Sequence, residues 1–202
     1  MDRQTKWILG GAAAIGGITA ITLAFGKARQ ESSFPPVSRS GGLIVRNYFG
    51  QSGSLSSVYP RGIRNNNPGN LKIGPSPWTG KIPVDQNTDG QFEQFSTFEY
   101  GLRAMIKQLK NDIDKGYNTL VKLISKYAPP SENRTADYIK YVAAQTGIRT
   151  DAGLISTKPA LKNLVKTMVR YENGNTYPVS EAQFETCLLY TSPSPRDRTR
   201  SR

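Results

Sequence analysis

Residues 61–72 restrict most strongly what this chain can fold into, because their composition suits neither a helix nor a strand. Their sequence, RGIRNNNPGNLK, places four asparagines, a proline and a glycine within six consecutive positions. Asparagine and glycine tolerate left-handed backbone conformations, and asparagine side chains bond to nearby backbone groups. The stretch therefore predicts a tightly folded polar loop. An ordinary surface turn is the simpler interpretation, but this density of asparagine beside two arginines favours a loop that lines a ligand cleft.

Four segments after this loop carry apolar residues at helical spacing. These segments are residues 97–114, 118–127, 135–145 and 158–171. Thr97 is a candidate N-cap for the first segment, and Ser131 is a candidate N-cap for the third. Gly147 is expected to end the third helix. The chain is therefore predicted to be mainly α-helical, with the helices forming the larger lobe of an α+β domain.

A small β-lobe is predicted between the asparagine-rich loop and the first of these helices. Residues 71–73 are a short candidate strand. Residues 82–84 and 91–95 flank a polar turn that ends in Asp-Gly, a pattern typical of a β-hairpin. Phe92 and Phe95 are the candidates for packing this hairpin onto the rest of the domain.

An ordered set of short motifs resembles a known domain. The asparagine-rich stretch is followed by WTG at 78–80, FEQF at 92–95, EYGLRA at 99–104, TLVKLISKYAPP at 119–130 and SENRTADYI at 131–139. In this order the motifs resemble the lysozyme-like domain of phage structural (virion) proteins, and their layout is similar to that of flagellar-type N-acetylglucosaminidases. The resemblance covers about residues 59–150. It implies a lysozyme-like fold, with a cleft between a helical lobe and a small β-hairpin lobe.

The absence of histidine narrows the chemistry that the chain can perform. It excludes Ser-His-Asp and Cys-His nucleophilic catalysis as well as histidine-ligated zinc, and with them most amidases and peptidases that cut cell-wall peptides. The single cysteine, Cys187, provides neither an intrachain disulfide nor a metal cluster. We therefore expect no cofactor and no metal site.

The formal net charge of +12 predicts attraction to anionic polymers. Peptidoglycan with its teichoic acids and anionic lipid are candidate partners. Nucleic acid is not expected, because no aromatic-basic motif appears. Residues 187–202 resemble a translated sequencing-adapter read-through, and their four arginines and one aspartate carry three of the net charges, leaving about +9. The alternative is a genuine disordered tail rich in arginine and serine. If the artefact interpretation holds, the native C-terminus is missing.

Residues 7–26 carry no charged side chain, and twenty helical residues span about 30 Å, the thickness of a bilayer core. A single-pass membrane anchor is the leading interpretation. The alternatives are a signal-anchor helix that later leaves the bilayer, a cleaved signal peptide and a buried soluble helix. Residues 27–58 are rich in Gly, Ser and Pro and are typical of a flexible linker. Residues 59–178 would then form the lysozyme-like domain, and residues 179–202 a tail.

Cleavage of a glycosidic bond requires a carboxylic acid that stays protonated near neutral pH, and an apolar pocket raises the pKa of a Glu for this purpose. The resemblance implies such a Glu on a helix before the asparagine-rich loop, but no carboxylate occurs between Glu31 and Asp85. Glu132 is our first choice, with stabilisation of a helix dipole as the alternative role. Glu93 and Glu99 are further catalytic candidates. Their simpler interpretations are a solvent-facing strand residue and a helix-start residue.

Sugar binding requires amide groups and flat aromatic faces. The predicted substrate-binding residues are Arg64, Asn65, Asn66, Asn67, Asn70, Trp78, Thr135 and Tyr138. Arg64 is a candidate for contact with a muramic carboxylate or a peptide stem. Trp78, flanked by proline and glycine, is the best candidate for stacking on a sugar, although each aromatic residue alone is more often part of a core.

Together these features predict a membrane-anchored, phage- or virion-associated enzyme that cleaves the glycan strand of peptidoglycan with a Glu general acid. Muramidase, glucosaminidase and lytic transglycosylase activity all stay open. The alternative is a non-catalytic virion structural protein that keeps the fold for peptidoglycan docking or assembly with other virion proteins, and the missing upstream Glu favours it. A nucleic-acid-binding membrane protein of the virion interior is a third hypothesis. The folded domain is expected to face the cell wall from a virion membrane or the host inner membrane.

Overall fold

The computed structural model describes residues 46–51, 53 and 55–189 of this chain. The candidate membrane span at 7–26, most of the predicted linker and residues 190–202 lie outside the described residues. Within the described ranges, no helix combines the length and the apolar character that crossing a bilayer requires.

Helices dominate the described part of the chain. The α-helices are α1, Arg61–Arg64; α2, Phe98–Asp114; α3, Leu120–Tyr127; α4, Thr135–Thr146; α5, Lys158–Asn173; and α6, Glu181–Leu189. The prediction of a mainly α-helical fold is confirmed. The four helices expected from apolar spacing correspond to α2, α3, α4 and α5, and each begins and ends within two residues of its predicted position.

Helix α2 lies at the centre of the hydrophobic core. Its fully buried side chains include Leu102, Met105, Ile106 and Leu109. These residues recur at three- and four-residue steps, so that one face of the helix is continuously apolar. Helices α3, α5 and α6 pack against α2, while α4 packs against α3 and α5. Full burial of each large aliphatic side chain contributes about 1.5–3 kcal/mol, which makes this face the main source of stability.

Helix α4 begins later than its predicted cap implies. Its N-cap position is Arg134, and residues 129–132 form a turn in which the Glu132 N–H donates to the Pro129 carbonyl at 3.0 Å. The prediction that Ser131 caps this helix is therefore wrong. Gly147 ends α4 with a left-handed φ of 71°, which confirms the predicted stop.

The small lobe contains less β-structure than predicted. Residues 91–96 run between residues 71–73 and 80–82 and form backbone hydrogen bonds of 2.8–3.1 Å with both. The pairing consists of two isolated antiparallel bridges, Lys72 with Phe92 and Lys81 with Phe95. The strand expected at 82–84 gives way to a 3-10 turn after Pro83, because proline has no N–H to donate to a neighbouring strand.

Segments on both sides of the predicted 59–178 domain also pack on the helical core. Tyr48 lies against the core on the N-terminal side. On the C-terminal side, α6 packs along α2 and buries Phe184 and Cys187 completely. The packed fold therefore includes residues before and after that range, and α6 reaches into the segment 187–202 that resembles an adapter read-through.

Candidate active site

A cleft with a volume of about 620 Å³ lies between the small lobe and the helical lobe. Small-molecule sites commonly occupy about 300–1,000 Å³, so the cleft is large enough for a ligand. The small lobe contributes Leu71, Trp78 and Phe92 to its lining. The connection between α3 and α4 contributes Ala128, Pro129 and Asn133. Asn70 of the asparagine-rich loop and Glu172 near the end of α5 also line the cleft.

Glu172 is a largely buried carboxylate that α5 brings to this cleft. Its Oε2 accepts a hydrogen bond from the Asn70 side-chain Nδ2 at 2.9 Å. Burial raises the pKa of Glu172 above its ordinary value, and the Asn70 amide and the Tyr138 hydroxyl partly oppose this increase. A carboxyl group in such surroundings holds its proton at higher pH than an exposed Glu does.

Two tyrosines, the buried Tyr138 and the partly buried Tyr127, lie near Glu172. The Tyr127 hydroxyl donates a hydrogen bond to the Gly69 carbonyl, and the Tyr138 ring stacks on Tyr171 with centroids 3.8 Å apart. Burial, followed by the negative charge of Glu172, raises the pKa of both Tyr127 and Tyr138 well above the ordinary tyrosine value. The Tyr138 hydroxyl faces Glu172 but forms no hydrogen bond of normal geometry with any described residue. It is therefore a spare donor beside the carboxyl group.

The asparagine-rich loop fixes the position of Asn70. The Asn67 Nδ2 donates to the carbonyls of Leu71 and Glu93, both at 2.9 Å, and the Asn67 Oδ1 accepts from the Leu71 N–H at 3.0 Å. Asn66 and Asn70 have left-handed φ values of 53° and 47°. Asparagine tolerates this conformation better than most residues, which explains its density in the loop.

The remaining predicted binding asparagines also act inside the fold. Asn66 donates two hydrogen bonds to backbone carbonyls, at 2.8 and 3.0 Å. Asn65 donates to the Asp89 carboxylate at 2.9 Å and accepts from the Gln94 amide at 3.0 Å. Of the four asparagines predicted to bind substrate, Asn70 is the one that lines the cleft. Asn65, Asn66 and Asn67 hold the loop in the conformation that places Asn70 at the cleft.

The three predicted catalytic acids occupy different surroundings. Glu132 lies at the cleft, where its side chain is 52% exposed and forms an ion pair with Lys72. Glu93 is completely buried and pairs with Lys81 at 2.7 Å, so the solvent-facing interpretation of Glu93 was wrong. Glu99 lies in the first turn of α2, next to α6 and outside the cleft lining.

Trp78, Tyr138 and Thr135 each lie near the cleft in a different role. Trp78 lines the cleft and also packs on the small-lobe cluster around Phe95. Tyr138 does not line the cleft, but its hydroxyl faces Glu172. Thr135 is buried and donates its hydroxyl to the Ala128 carbonyl at 2.6 Å, so it fixes the connection that forms one side of the cleft.

Arg61, rather than the predicted Arg64, supplies the guanidinium group at the cleft. The Arg64 Nε donates to the Tyr59 carbonyl at 3.1 Å, and Arg64 does not line the cleft. The Arg61 guanidinium carbon lies 4.7 Å from the centre of the Phe92 ring, a cation–π contact.

A second carboxylate, Asp112 of α2, also lines the cleft. Its Oδ1 forms an ion pair with the Lys126 ammonium group, and its Oδ2 accepts a hydrogen bond from the Gln108 amide at 2.8 Å. The Asp112 side chain is buried. Both of its carboxylate oxygens are therefore occupied within the protein.

Sequence analysis overlooked Glu172, although a signal for it was present. The predicted fourth helix ended at residue 171, two positions before α5 ends at Asn173. Leu161, Val165 and Met168 are buried in α5, and Glu172 follows Met168 by four residues and Val165 by seven. A Glu that continues the buried face of an amphipathic helix is a candidate for an elevated pKa.

We expect replacement of Glu172 with Gln to raise stability more at pH 7 than at pH 4. The folded-state pKa of Glu172 is raised, so the stability linked to its proton is fully present below the unfolded pKa and is lost as pH rises through the folded value. Gln is neutral at both pH values, so the stability of the variant does not fall in this way as pH rises. Thermal unfolding of both proteins across this range measures the difference.

Glu181→Gln is the control of opposite sign. Hydrogen bonds from Lys162 and Lys166 lower the pKa of Glu181 to about 2, so its contribution is present above the unfolded pKa and is lost as pH falls. This variant should be less stable than wild type at pH 7 and approach it in acid. If the stability advantage of Glu172→Gln over wild type stayed constant or shrank as pH rises, this result would contradict the raised pKa of Glu172.

No protein-family model matches this chain. The chain is similar to Protein P5 of Pseudoalteromonas phage PM2, with 38% identity over 127 residues that cover 60% of this chain and 76% of that protein. This similarity supports the phage relationship that the sequence predicted, whereas the resemblance to the lysozyme-like domain stays a prediction. At this identity and coverage, this chain belongs to the family of Protein P5 of Pseudoalteromonas phage PM2.

Proposed function

We propose that this protein cleaves the glycan strand of peptidoglycan and that Glu172 is the general acid. The observation that carries the proposal is the position of Glu172: largely buried, in a cleft, with a raised pKa. A general acid works best when its pKa lies near the working pH, because it must hold a proton and still release it readily. Glu172 replaces Glu132, Glu93 and Glu99 as the proposed acid.

Asn70 and Tyr138 are proposed to position this acid. Asn70 holds one carboxylate oxygen at 2.9 Å, which leaves the other oxygen to carry the proton. Tyr138 faces the same carboxyl group and can stabilise the anion after proton transfer. Trp78 and Phe92 line the same cleft and offer flat faces to sugar rings, and Arg61 offers a cation to an acidic substituent.

Residues 7–26 are proposed to anchor the protein in a membrane, with residues 27–58 as a tether. A basic chain with a net charge of +12 would be held close to an anionic cell wall. Membership of a phage protein family is consistent with action in the virion or at the wall of the infected cell. Peptidoglycan is the proposed substrate.

A non-catalytic docking protein is the second candidate, and one observation favours it. Asn70 and Tyr138 stabilise the ionised form of Glu172, in opposition to burial. If their effect were dominant at the working pH, the carboxylate would bind a sugar hydroxyl without donating a proton. The same cleft would then dock the protein on peptidoglycan.

Incubation of the full-length chain with purified sacculi distinguishes the two candidate functions. Release of soluble fragments that carry peptide stems on short glycans supports the enzyme. Retention of the protein on the sedimented sacculi without soluble fragments would contradict glycan cleavage and support docking. Bovine serum albumin at the same concentration controls for passive release.

We expect replacement of Asn70 with Gly to move the alkaline limit of cleavage to higher pH. The Asn70 amide lowers the pKa of Glu172. Its removal therefore raises that pKa further, and the acid stays protonated to higher pH. Glycine accepts the left-handed φ of residue 70 without strain. Tyr138→Phe should shift the profile in the same direction. A shift of the alkaline limit to lower pH in either variant would contradict these roles.

A further inference from the structure

We infer that an exposed aromatic face beside α1 docks the folded domain on a membrane surface rich in anionic phospholipid. This aromatic face consists of Phe49, Val58 and Tyr59, with the guanidinium groups of Arg46 and Arg64 at its edge. The contact is separate from the cleft and does not depend on glycan cleavage. It follows from the exposure of the apolar side chains, the state of the two arginines and the position of the face in the chain.

The apolar part of the aromatic face is exposed where a folded domain usually buries such side chains. Phe49 is 51% exposed and Val58 is 83% exposed. The Phe49 and Tyr59 rings are in contact, with centroids 5.7 Å apart, and Val58 directly precedes Tyr59. Single exposed apolar residues are common, but neighbouring ones mark a binding surface. Aromatic side chains in particular suit the boundary between headgroups and acyl chains.

The fold holds this face in place. The Arg46 N–H donates a hydrogen bond to the Ser96 carbonyl at 2.8 Å, and the Tyr48 hydroxyl donates to the Pro178 carbonyl at 3.1 Å. These bonds fix the backbone on the N-terminal side of Phe49. A surface that is ordered before binding loses less conformational entropy when it binds, so a small face can still contribute to docking.

Two guanidinium groups lie against the backbone of the aromatic face. The Arg46 Nη1 donates to the Gly50 carbonyl at 3.4 Å, and the Arg64 Nε donates to the Tyr59 carbonyl at 3.1 Å. Neither arginine forms an ion pair with a carboxylate in the described part of the chain. Guanidinium groups bind phosphate oxygens through paired N–H donors. Apolar side chains beside such cations match the chemistry of an anionic phospholipid surface.

The charge and the position of the aromatic face in the chain favour a membrane as its partner. No Asp or Glu occurs between Glu31 and Asp85, so the sequence on both sides of the face adds no negative charge. Residues 27–45 separate the face from the proposed anchor at residues 7–26. It is therefore the part of the described domain closest along the chain to that anchor. Linking two binding elements in one chain makes the second contact intramolecular, which strengthens a modest interaction.

A fluorescent label on the aromatic face tests the inference. Full-length Val58→Cys is labelled with a thiol-reactive nitrobenzoxadiazole dye, whose emission moves to shorter wavelength in apolar surroundings. Cys187 is completely buried, and burial raises its pKa to about 12, so it should stay unlabelled. The protein is reconstituted into vesicles of phosphatidylcholine or of phosphatidylcholine and phosphatidylglycerol in equal amounts. We expect a shift in the mixed vesicles that is much larger than in phosphatidylcholine alone and that decreases at high salt.

Ile155→Cys is the matched control. Ile155 is 63% exposed, and the next residue, Ser156, donates a hydrogen bond to Asp114 at the C-terminal end of α2. The aromatic face lies at the other end of this helix, where Tyr48 packs on Phe98. The 17 residues of α2 span about 25 Å. A label at residue 155 should therefore show no shift in either vesicle.

Arg46→Gln in the Val58→Cys protein tests the headgroup contact. The hydrogen bonds of Arg46 to Ser96 and Asn66 come from its backbone, so the variant should retain them. We expect the docking equilibrium on the mixed vesicles to fall about fivefold, the contribution of one arginine at an anionic surface. An unchanged equilibrium would contradict the role of this arginine.

Four results would overturn the inference. The first is no shift at residue 58 in the mixed vesicles. The second is an equal shift at residues 58 and 155, which would indicate general attraction of a basic chain. The third is a shift in lipid-free detergent that grows with protein concentration, which would assign the face to a second copy of the chain. The fourth is a shift on sacculi but not on vesicles, which would assign it to the cell wall. Glycan release by the same proteins is measured separately, so failure of docking and failure of the proposed function are distinguishable.

Discussion

Replacement of Glu172 with Gln should reduce the rate of glycan release from sacculi by about 10²–10⁴-fold. Gln has nearly the same shape and can still accept the hydrogen bond from Asn70, but it has no proton to donate to a leaving oxygen. Binding of the protein to sacculi should survive, because the rest of the cleft is unchanged. Initial rates of fragment release and co-sedimentation measure the two properties separately.

Glu99→Gln is the matched control for this experiment. It makes the same chemical change in the same protein, outside the cleft lining. Its activity should equal that of wild type. Loss of activity in Glu99→Gln or Glu132→Gln, with full activity in Glu172→Gln, would contradict the assignment of the acid.

Replacement of Gly101 with Ala should destabilise the fold by about 3 kcal/mol. Gly101 lies in α2 and faces the asparagine-rich loop, where an added Cβ would come within 1.8 Å of the Asn66 carbonyl oxygen. Neither backbone can move without breaking core packing or the Asn66 hydrogen bonds. At an exposed position within a helix, Gly→Ala stabilises the fold by about 1 kcal/mol. The expected effect of Gly101→Ala on stability therefore has the opposite sign to the effect of helix propensity.

Thermal or denaturant unfolding of Gly101→Ala measures this effect. Gly153→Ala is the control, because nothing lies within 4 Å of a Cβ added there. The control should unfold close to wild type. A Gly101→Ala protein as stable as wild type would show that the loop does not rest on α2 in the way described. Loss of stability should be accompanied by loss of glycan release, because the same loop carries Asn70.

The helical lobe was predictable because its helices depend on local apolar spacing. Leu102, Met105 and Leu109 mark the buried face of α2 in the sequence and occupy it in the structure. The small lobe was less predictable, because it depends on contacts between distant segments. Pro83 interrupts the expected strand, and Lys81 neutralises the buried Glu93 in a pairing that strand alternation does not reveal.

The candidate site was predicted only in part. Composition identified the asparagine-rich loop, but it did not show that Asn67 bonds inward while Asn70 faces the cleft. That difference depends on individual backbone conformations, which composition does not determine. Glu172 lies 102 residues after Asn70, so the pair that forms the site exists only in the folded chain.

Titration of the Glu172 side chain tests the central claim most directly. Carbon-13 NMR of the full-length chain in mild detergent, with labelled glutamate, follows each carboxyl carbon against pH, and Glu172→Gln identifies the Glu172 signal. The account predicts a midpoint above that of an ordinary exposed Glu, because burial outweighs the Asn70 and Tyr138 donors. A midpoint at or below the ordinary value would contradict Glu172 as the acid and leave the cleft as a docking site.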